Sequence, residues 1–424
     1  MVKIIHLADT HLGFRLRKNF KNDWFKFGEI RWYENDFYKR WDDFFNYCID
    51  NKDNIDFIVH SGDIFHTPFG ENPFPPPEPA REVVVKSLKI FFKETENKIP
   101  IILIDGNHGI YQGYRYSIMD SITSIFPKLH YFSVWDLKHA ITNTQQLTLE
   151  FPDKSTRFYL FPYFEFTLNN DIKVEYDKWI EKQRPKEDIV EIAVVHGSDV
   201  DKTLHEKLKS FNYSYIALGH EHNQRKISGN AYYSGSFVPL NFDEVNISNG
   251  YLEVIIEKNK KPVVKNHIFE KNRAFEEIDI EVDPSTTSNS IFSTIEEKIE
   301  PFKTQKWEGV SAARLKINFR GNISLTSFWN LSEELRSFQS KVINEGNYNI
   351  LQLIIDWHEV SKDLGDELAP EIIEEYVLSN PKEEFLEYIH GKIKPAEGYN
   401  VDLLAEIAIE AIETSLKKFG GETD

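Results

Sequence analysis

Over the first 270 positions, apolar residues occur in two arrangements: short unbroken runs, and stripes with helical spacing. The runs are Phe57 to Val59, Ile101 to Ile104, Ile192 to Val195 and Tyr215 to Leu218, with Lys3 to Ala8 a further strand candidate that His6 interrupts. A run that is apolar at every position suits a strand covered on both faces, as in the interior of a parallel sheet. Glu34 to Lys52 instead gathers Phe37, Trp41, Phe44, Phe45, Cys48 and Ile49 on one face, and Arg81 to Asn97 does the same with Val84, Val85, Leu88, Phe91 and Phe92. Both therefore predict amphipathic helices. The alternation of strand and helix predicts βαβ units with parallel neighbouring strands.

From Leu129 the pattern shifts to short strands, among them Gln146 to Phe151, Arg157 to Phe161, Ala231 to Ser236, Tyr251 to Glu257 and Val263 to Phe269. Close turns containing Gly or Asn between them suggest an antiparallel layer. Residues 1–270 thus read as an α/β fold, a mixed-sheet sandwich flanked by helices. Thr67 to Pro79 contains P-F-P-P-P-E-P, which fits neither helix nor central strand and predicts a stiff surface loop.

A second unit is expected over residues 271–358. Ile278, Ile280 and Val282 alternate, Ser290 to Pro301 is helical, Ala313, Leu315, Ile317 and Phe319 alternate again, Leu325 to Val342 is helical, and Ile350 to Trp357 forms a third strand. That order describes a small α+β domain, ferredoxin-like in outline. Residues 359–424 read as an acidic helical tail. Its last helix lines up Leu403, Leu404, Ile407, Ala408, Ala411, Ile412 and Leu416 in an apolar stripe that needs a covering surface, either the second unit or a partner.

The chemistry gathers where the buried runs stop. Asp9-Thr10-His11, Asp63, Asn107-His108, His196 and His220-Glu221-His222 each follow one of the four runs or the Lys3 to Ala8 strand candidate. Open α/β sheets place their ligands at the carboxyl ends of strands. Asp9 and His11, like His220 and His222, are two residues apart and in extended chain share a side. Asp9, His11, Asp63, Asn107, His196, His220 and His222 are more ligands than one first-row ion accepts. Two ions are therefore expected, bridged by Asp63 and about 3.5–4 Å apart, a spacing that suits attack on a phosphoryl group. Imidazole and carboxylate without sulfur suit Mn²⁺, Fe²⁺ or Zn²⁺. His108, beside the ligand Asn107, suits transition-state stabilisation or protonation of a leaving oxygen. His6, His60 and His66 read as packing or supporting residues.

Composition narrows this picture. Cys48 is the only cysteine, which excludes an internal disulfide and a thiolate metal cage. The absence of a signal-peptide pattern or a long apolar run predicts a cytoplasmic protein. A net charge of −18 would oppose binding to nucleic acid, yet residues 359–424 hold 17 acidic against 6 basic residues, a net −11, which leaves −7 for the rest. Arg15, Arg17, Lys18 and Lys21, interleaved with Phe14, Phe20 and Trp24, form a candidate DNA-binding segment, the alternative being a loop packed by its own aromatics.

The blocks D-T-H at Asp9, G-D at Gly62, G-N-H at Gly106, H-G at His196 and G-H-E-H at Gly219 resemble those of the calcineurin-like metallophosphoesterases. More narrowly, H-L-A-D-T-H-L-G, the aromatic E-N-D-F-Y helix, F-P-Y at Phe161 and Y-S-G-S followed by F-D-E at Phe242 resemble the SbcD-type nuclease subunits of double-strand-break repair. The resemblance implies that Asp9, His11, Asp63 and His222 hold one ion and Asp63, Asn107, His196 and His220 the other. It places His108 in the catalytic position. It further implies Mn²⁺-dependent hydrolysis of DNA, as a 3′ to 5′ exonuclease on duplex ends and an endonuclease on single strands, by a nucleoid-associated protein. The second unit takes the place of a DNA-capping domain. The implied partners are DNA, an SbcC-type coiled-coil ATPase docked on C-terminal helices, and a second copy in a homodimer within a heterotetramer. The family usually continues G-N-H with Asp, where this chain has Gly109. A phosphomonoesterase on the same core, or a slow scaffold joining an ATPase to DNA, are the alternative readings.

Overall fold

The computed structural model describes residues 1–14, 32–66, 78–109, 117–163, 170–186, 188–197, 207–269, 273–303, 313–344 and 348–363. Arg15, Arg17, Lys18 and Lys21, most of the proline-rich loop and the tail beyond Asp363 lie outside the described residues. The first strand candidates form β1 (Val2–Leu7), β2 (Phe57–His60) and β3 (Ile101–Ile104), joined by helices α1 (Trp32–Asp50) and α2 (Glu78–Glu94). Next come α3 (Ile118–Thr123), β4 (Leu129–Phe132), α4 (Val134–Thr142), β5 (Thr148–Phe151), β6 (Thr156–Phe161), α5 (Asn170–Glu181), β7 (Val190–His196) and β8 (Tyr215–Gly219). Strands β9 (Arg225–Lys226), β10 (Ala231–Tyr233), β11 (Gly250–Ile256) and β12 (Val263–Ile268) complete this part.

These strands form two six-stranded sheets, ordered β12-β11-β1-β2-β3-β4 and β5-β6-β7-β8-β10-β9. In the first, β1 to β4 run parallel, while β11 pairs antiparallel with β1 and β12 with β11. The second is not the antiparallel layer expected from its short strands. β6, β7, β8 and β10 run parallel, and only the edge strands β5 and β9 are antiparallel. The connection from β6 to β7 passes through α5, and a crossover of that length returns the chain in the same direction.

Alternation within each buried strand sorts its side chains between two cores. Ile4, Phe57, Val59 and Ile102 of the first sheet pack against Phe158, Leu160, Ile192 and Val194 of the second. Ile5, Leu7, Ile58 and Leu103 face the opposite way, onto Phe37, Trp41 and Phe44 of α1 and Phe91 of α2. Tyr159, Phe161, Val195 and Leu218 meet Leu137 of α4 and Trp179 and Ile180 of α5. The result is two facing sheets, each backed by helices. Burying one such side chain contributes about 1.5–3 kcal/mol, and the cost of changing its volume makes the strand ends rigid platforms.

After residue 273 come β13 (Phe275–Val282), α6 (Ser288–Ile299), β14 (Ala313–Ser324), α7 (Leu325–Asn344) and β15 (Ile350–Asp363), with the three strands ordered β13-β14-β15 in a third sheet. The chain divides into two compact units. One comprises Met1–Glu281, Thr287–Arg320 and Glu333–Glu359; the other comprises Val282–Thr286, Gly321–Ser332 and the segment from Val360. Within the first, Arg273 donates two hydrogen bonds to Asp36 of α1, Nε to Oδ2 at 2.7 Å and Nη2 to Oδ1 at 3.1 Å, in a buried bidentate pair. No helix among the described residues is long and apolar enough to cross a membrane.

Candidate metal centre

Parallel register brings the chemistry to one edge. Leu7 pairs with His60, His60 with Leu103, and His196 with Gly219, so the loops after β1, β2, β3, β7 and β8 leave the sheets on the same side. Beyond the strand ends, the first two loops continue to pair. Asp9 N–H donates to Gly62 O at 3.0 Å, His11 N–H to Asp63 O at 3.1 Å, Leu12 N–H to Ile64 O at 2.9 Å and His66 N–H to Leu12 O at 3.0 Å. This ladder fixes Asp9 and His11 against Asp63 and His66.

The turns are strained where they carry ligand-type side chains. Asp9 (φ 50°), His11 (φ 43°), Asp63 (φ 58°) and His220 (φ 94°) occupy positive φ, which costs a residue with a Cβ of order 1–3 kcal/mol. Such strain persists only where surrounding contacts over-determine it. Gly106 shows how tight the assembly is, since a Cβ there would lie 2.1 Å from Asp63 Oδ1 and 2.6 Å from its backbone nitrogen.

Seven of the residues singled out in the sequence converge. His11 Nε2 and His222 Nε2 are 3.0 Å apart. His196 Nε2 lies 2.9 Å from Asn107 Oδ1 and 3.4 Å from Asp63 Oδ2, and His220 Nδ1 is 3.1 Å from the same Asn107 oxygen. Asp63 Oδ2 is 4.0 Å from His11 Nε2, so this carboxylate stands between the two imidazole sets. Asp9 also belongs to both sets. Donor atoms of Asp9, His11 and His222 lie within 4.8 Å of one another, as do those of Asp9, Asp63 and His196.

The donor chemistry fits divalent cations. Two imidazole nitrogens facing each other, an amide oxygen shared by two more, and two buried carboxylates supply lone pairs aimed at common points without sulfur. Neighbouring groups fix which nitrogen faces inward. His196 Nδ1–H donates to Ser61 O at 2.8 Å, leaving Nε2 for the site, and His222 Nδ1 is bonded to Glu244 Oε1 at 2.9 Å, which does the same. Crowding of ionisable groups shows in their proton affinities. Burial pushes the Asp9 carboxyl up to about 7 and lowers His220 to about 4. Burial opposes the charged form of Asp63 as well, but His196 and His108 override it and hold that carboxyl well below its usual value.

His108 sits half-buried at the rim. Its backbone N–H donates to Asp63 Oδ1 at 2.8 Å, and its ring lies 5.0 Å from His11, edge-on. His66 also lies here, beside the site rather than in the core. Its ring stacks on His108 at 4.6 Å and its Nδ1 is 3.2 Å from His11 Nδ1. The signal was its position three residues after Asp63, which becomes meaningful only once the loops are seen to pair. Glu244, the last residue of the F-D-E block, gives no sign of its role in the sequence. His6 and His60 do serve packing: His6 bridges Tyr215 Oη and Ser61 Oγ at 2.9 Å each, and His60 bonds Thr10 Oγ1 at 3.1 Å.

Several known proteins are similar to this chain. The SbcD component of the Staphylococcus epidermidis SbcCD nuclease is 24% identical over 287 residues, 61% of this chain and 67% of that protein. The DNA double-strand break repair protein Mre11 of Methanococcus maripaludis is 37% identical over 111 residues, 26% of this chain and 23% of that protein. The Mre11 protein of Saccharolobus solfataricus is 29% identical over 126 residues, 29% of this chain and 27% of that protein. The matched stretches thus span about a quarter of the two Mre11 proteins. The pattern of the calcineurin-like phosphoesterases matches residues 2–224, a stretch that holds all five strand ends described above. A match over more than half of the chain means that the chain belongs to the calcineurin-like phosphoesterase family.

Proposed function

We propose that the protein is a dinuclear-metal DNA nuclease of the SbcD and Mre11 kind, a 3′ to 5′ exonuclease on duplex ends and an endonuclease on single strands. The observation that carries this reading is the convergence of Asp9, His11, Asp63, Asn107, His196, His220 and His222 at one edge of the sheets, where Asp63 Oδ2 lies 3.4 Å from His196 Nε2 and 4.0 Å from His11 Nε2 and Asp9 shares donor groups with both histidines. The names of the relatives, a nuclease component and two break-repair proteins, supply the substrate class. Asp9, His11, Asp63 and His222 would hold one ion and Asp63, Asn107, His196 and His220 the other, with Mn²⁺ as the metal.

Two bound divalent cations supply Lewis acidity toward phosphate and water. The chain's own residues do the rest. Asp63 fixes the Asn107-His108 loop by accepting the His108 N–H. Ser61 and Glu244 hold His196 and His222 in the tautomers that turn Nε2 inward. The stacked pair of His108 and His66 faces the scissile phosphate, and His108 protonates the leaving oxygen, a contribution of about 10²–10⁴ in rate. Arg15, Arg17, Lys18 and Lys21 grip the DNA backbone, and residues 271–358 cap it. The tail from residue 359 docks a coiled-coil ATPase of the SbcC type, and two copies act together in the assembly.

The test is degradation of linear duplex and circular single-stranded DNA by the full chain in Mn²⁺. The unsubstituted chain should cleave both, and Asp63→Ala and His196→Ala should each abolish cleavage. Activity surviving in both variants would overturn the assignment.

A further inference from the structure

The turn Phe242–Glu244 touches the metal centre with one end and the third sheet with the other. Glu244 is fixed at both oxygens, Oε1 on His222 Nδ1 at 2.9 Å and Oε2 accepting the Leu240 N–H at 2.8 Å. Two residues earlier, the buried Phe242 ring meets the Phe275 ring of β13 at 5.6 Å, edge to face. The Arg314 guanidinium of β14 lies over both rings, 5.6 Å from Phe242 and 4.3 Å from Phe275. Arg314 is in turn held by Gln352 of β15 at 2.8 Å. Each strand of the third sheet therefore contributes to the seat of Phe242.

We propose that Glu244 is a positioning residue for His222, and that the third sheet sets it through Phe242, so that the cation group containing His222 depends on that sheet. The inference rests on the metal-centre reading above. A turn of three residues is too short to absorb movement of one end without moving the other. His222 has its Nε2 set against His11 at 3.0 Å, and its ring orientation follows from the partner of Nδ1. The second cation group has a different anchor, since His196 is oriented by Ser61 O on the first sheet side of the site. Loss of the Phe242 seat should therefore weaken one ion and spare the other. This geometry makes the sheet beyond the phosphoesterase strands a determinant of metal loading.

The experiment is calorimetric titration of Mn²⁺ into the metal-free full chain, with circular dichroism confirming fold. The unsubstituted chain should take up two ions. Glu244→Gln should weaken one ion about 10–100-fold, because a glutamine cannot accept from both His222 and the Leu240 N–H. Phe242→Ala should weaken the same ion by a smaller factor and add nothing in the Glu244→Gln background, since it acts through Glu244. If Phe242→Ala unfolds the chain, Arg314→Met, which keeps the aliphatic stem over the rings, is read in the same way. Two ions bound with unchanged affinities in the Phe242 or Arg314 variant would overturn this inference alone. Failure of the unsubstituted chain to take up Mn²⁺ would overturn it together with the metal-centre reading.

Discussion

Replacing Gly109 by Ala should destabilise the protein by about 2–4 kcal/mol, although the new side chain is a single methyl. A Cβ at this position would lie 2.5 Å from Asp105 Oδ1 and 3.1 Å from its Cγ. An ordinary carbon–oxygen contact is about 3.3 Å or more, so the overlap with the oxygen approaches 1 Å. Asp105 cannot simply turn away. It is buried, its Oδ1 accepts from Tyr131 Oη and its Oδ2 accepts the Val134 N–H at 3.1 Å. Overpacking costs roughly 1–3 kcal/mol, and breaking one hydrogen bond to a buried carboxyl adds roughly 1.5–3 kcal/mol if the clash is relieved that way. Gly109→Asp should cost more, because burial already pushes Asp105 up to about 7 and a second carboxyl would have to share its pocket. Asp105→Ala should relieve both substitutions, with a coupling of at least about 1 kcal/mol in a double-variant cycle. Urea unfolding followed by tryptophan fluorescence measures each step. A loss below about 0.5 kcal/mol for Gly109→Ala, or additivity with Asp105→Ala, would refute the steric argument. On this account Asp105 fills the space that any side chain at position 109 would need.

Removing either partner of the buried Arg273 and Asp36 pair should cost about 3–5 kcal/mol, because the remaining charge is left in the interior, and the double variant Asp36→Ala with Arg273→Ala should cost less than the two together. Unfolding midpoints in urea check this. On the proposed nuclease reading, His66→Ala should lower kcat on DNA about 10²-fold while calorimetry still counts two Mn²⁺ per chain; donor atoms of His11, His66 and His108 lie within 4.8 Å of one another, so loss of an ion would show that His66 binds metal instead.

The buried strands were legible because covering both faces demands mostly apolar side chains, a demand met throughout β3 and at most positions of β1, β2, β7 and β8, with Lys3, His6, His60, Glu191 and His196 as the polar exceptions inside or at the ends of the strands. Ligand candidates followed from the residues at which those runs stop. Strand neighbours were less legible. The expectation of an antiparallel layer held for the hairpins β5-β6 and β11-β12 but not for the interior of the second sheet, because nothing local shows that α5 returns β7 parallel to β6. Which of its two readings, packing or supporting, His66 takes was not legible, because its place depends on pairing of the loops through Leu12 and Phe65, a contact between segments more than 50 residues apart. Glu244 lies 22 residues from His222, at no recognisable spacing. The positive φ values at Asp9, His11, Asp63 and His220 were equally hidden, since a glycine announces such a conformation and an aspartate or histidine does not.

One pairing bears on how the chain is made. Val2 lies in register with Ile256, so β1, with β2 on one flank, waits for β11 on the other until some 250 further residues have left the ribosome. At about 5–20 residues per second that delay is roughly 10 to 50 s. Throughout it, the hydrogen-bonding edge of β1 that β11 will cover is open to other chains. Polypeptides released before residue 256 are therefore expected to aggregate more readily than the full chain, the consequence of a topology that joins its first strand to one so distant.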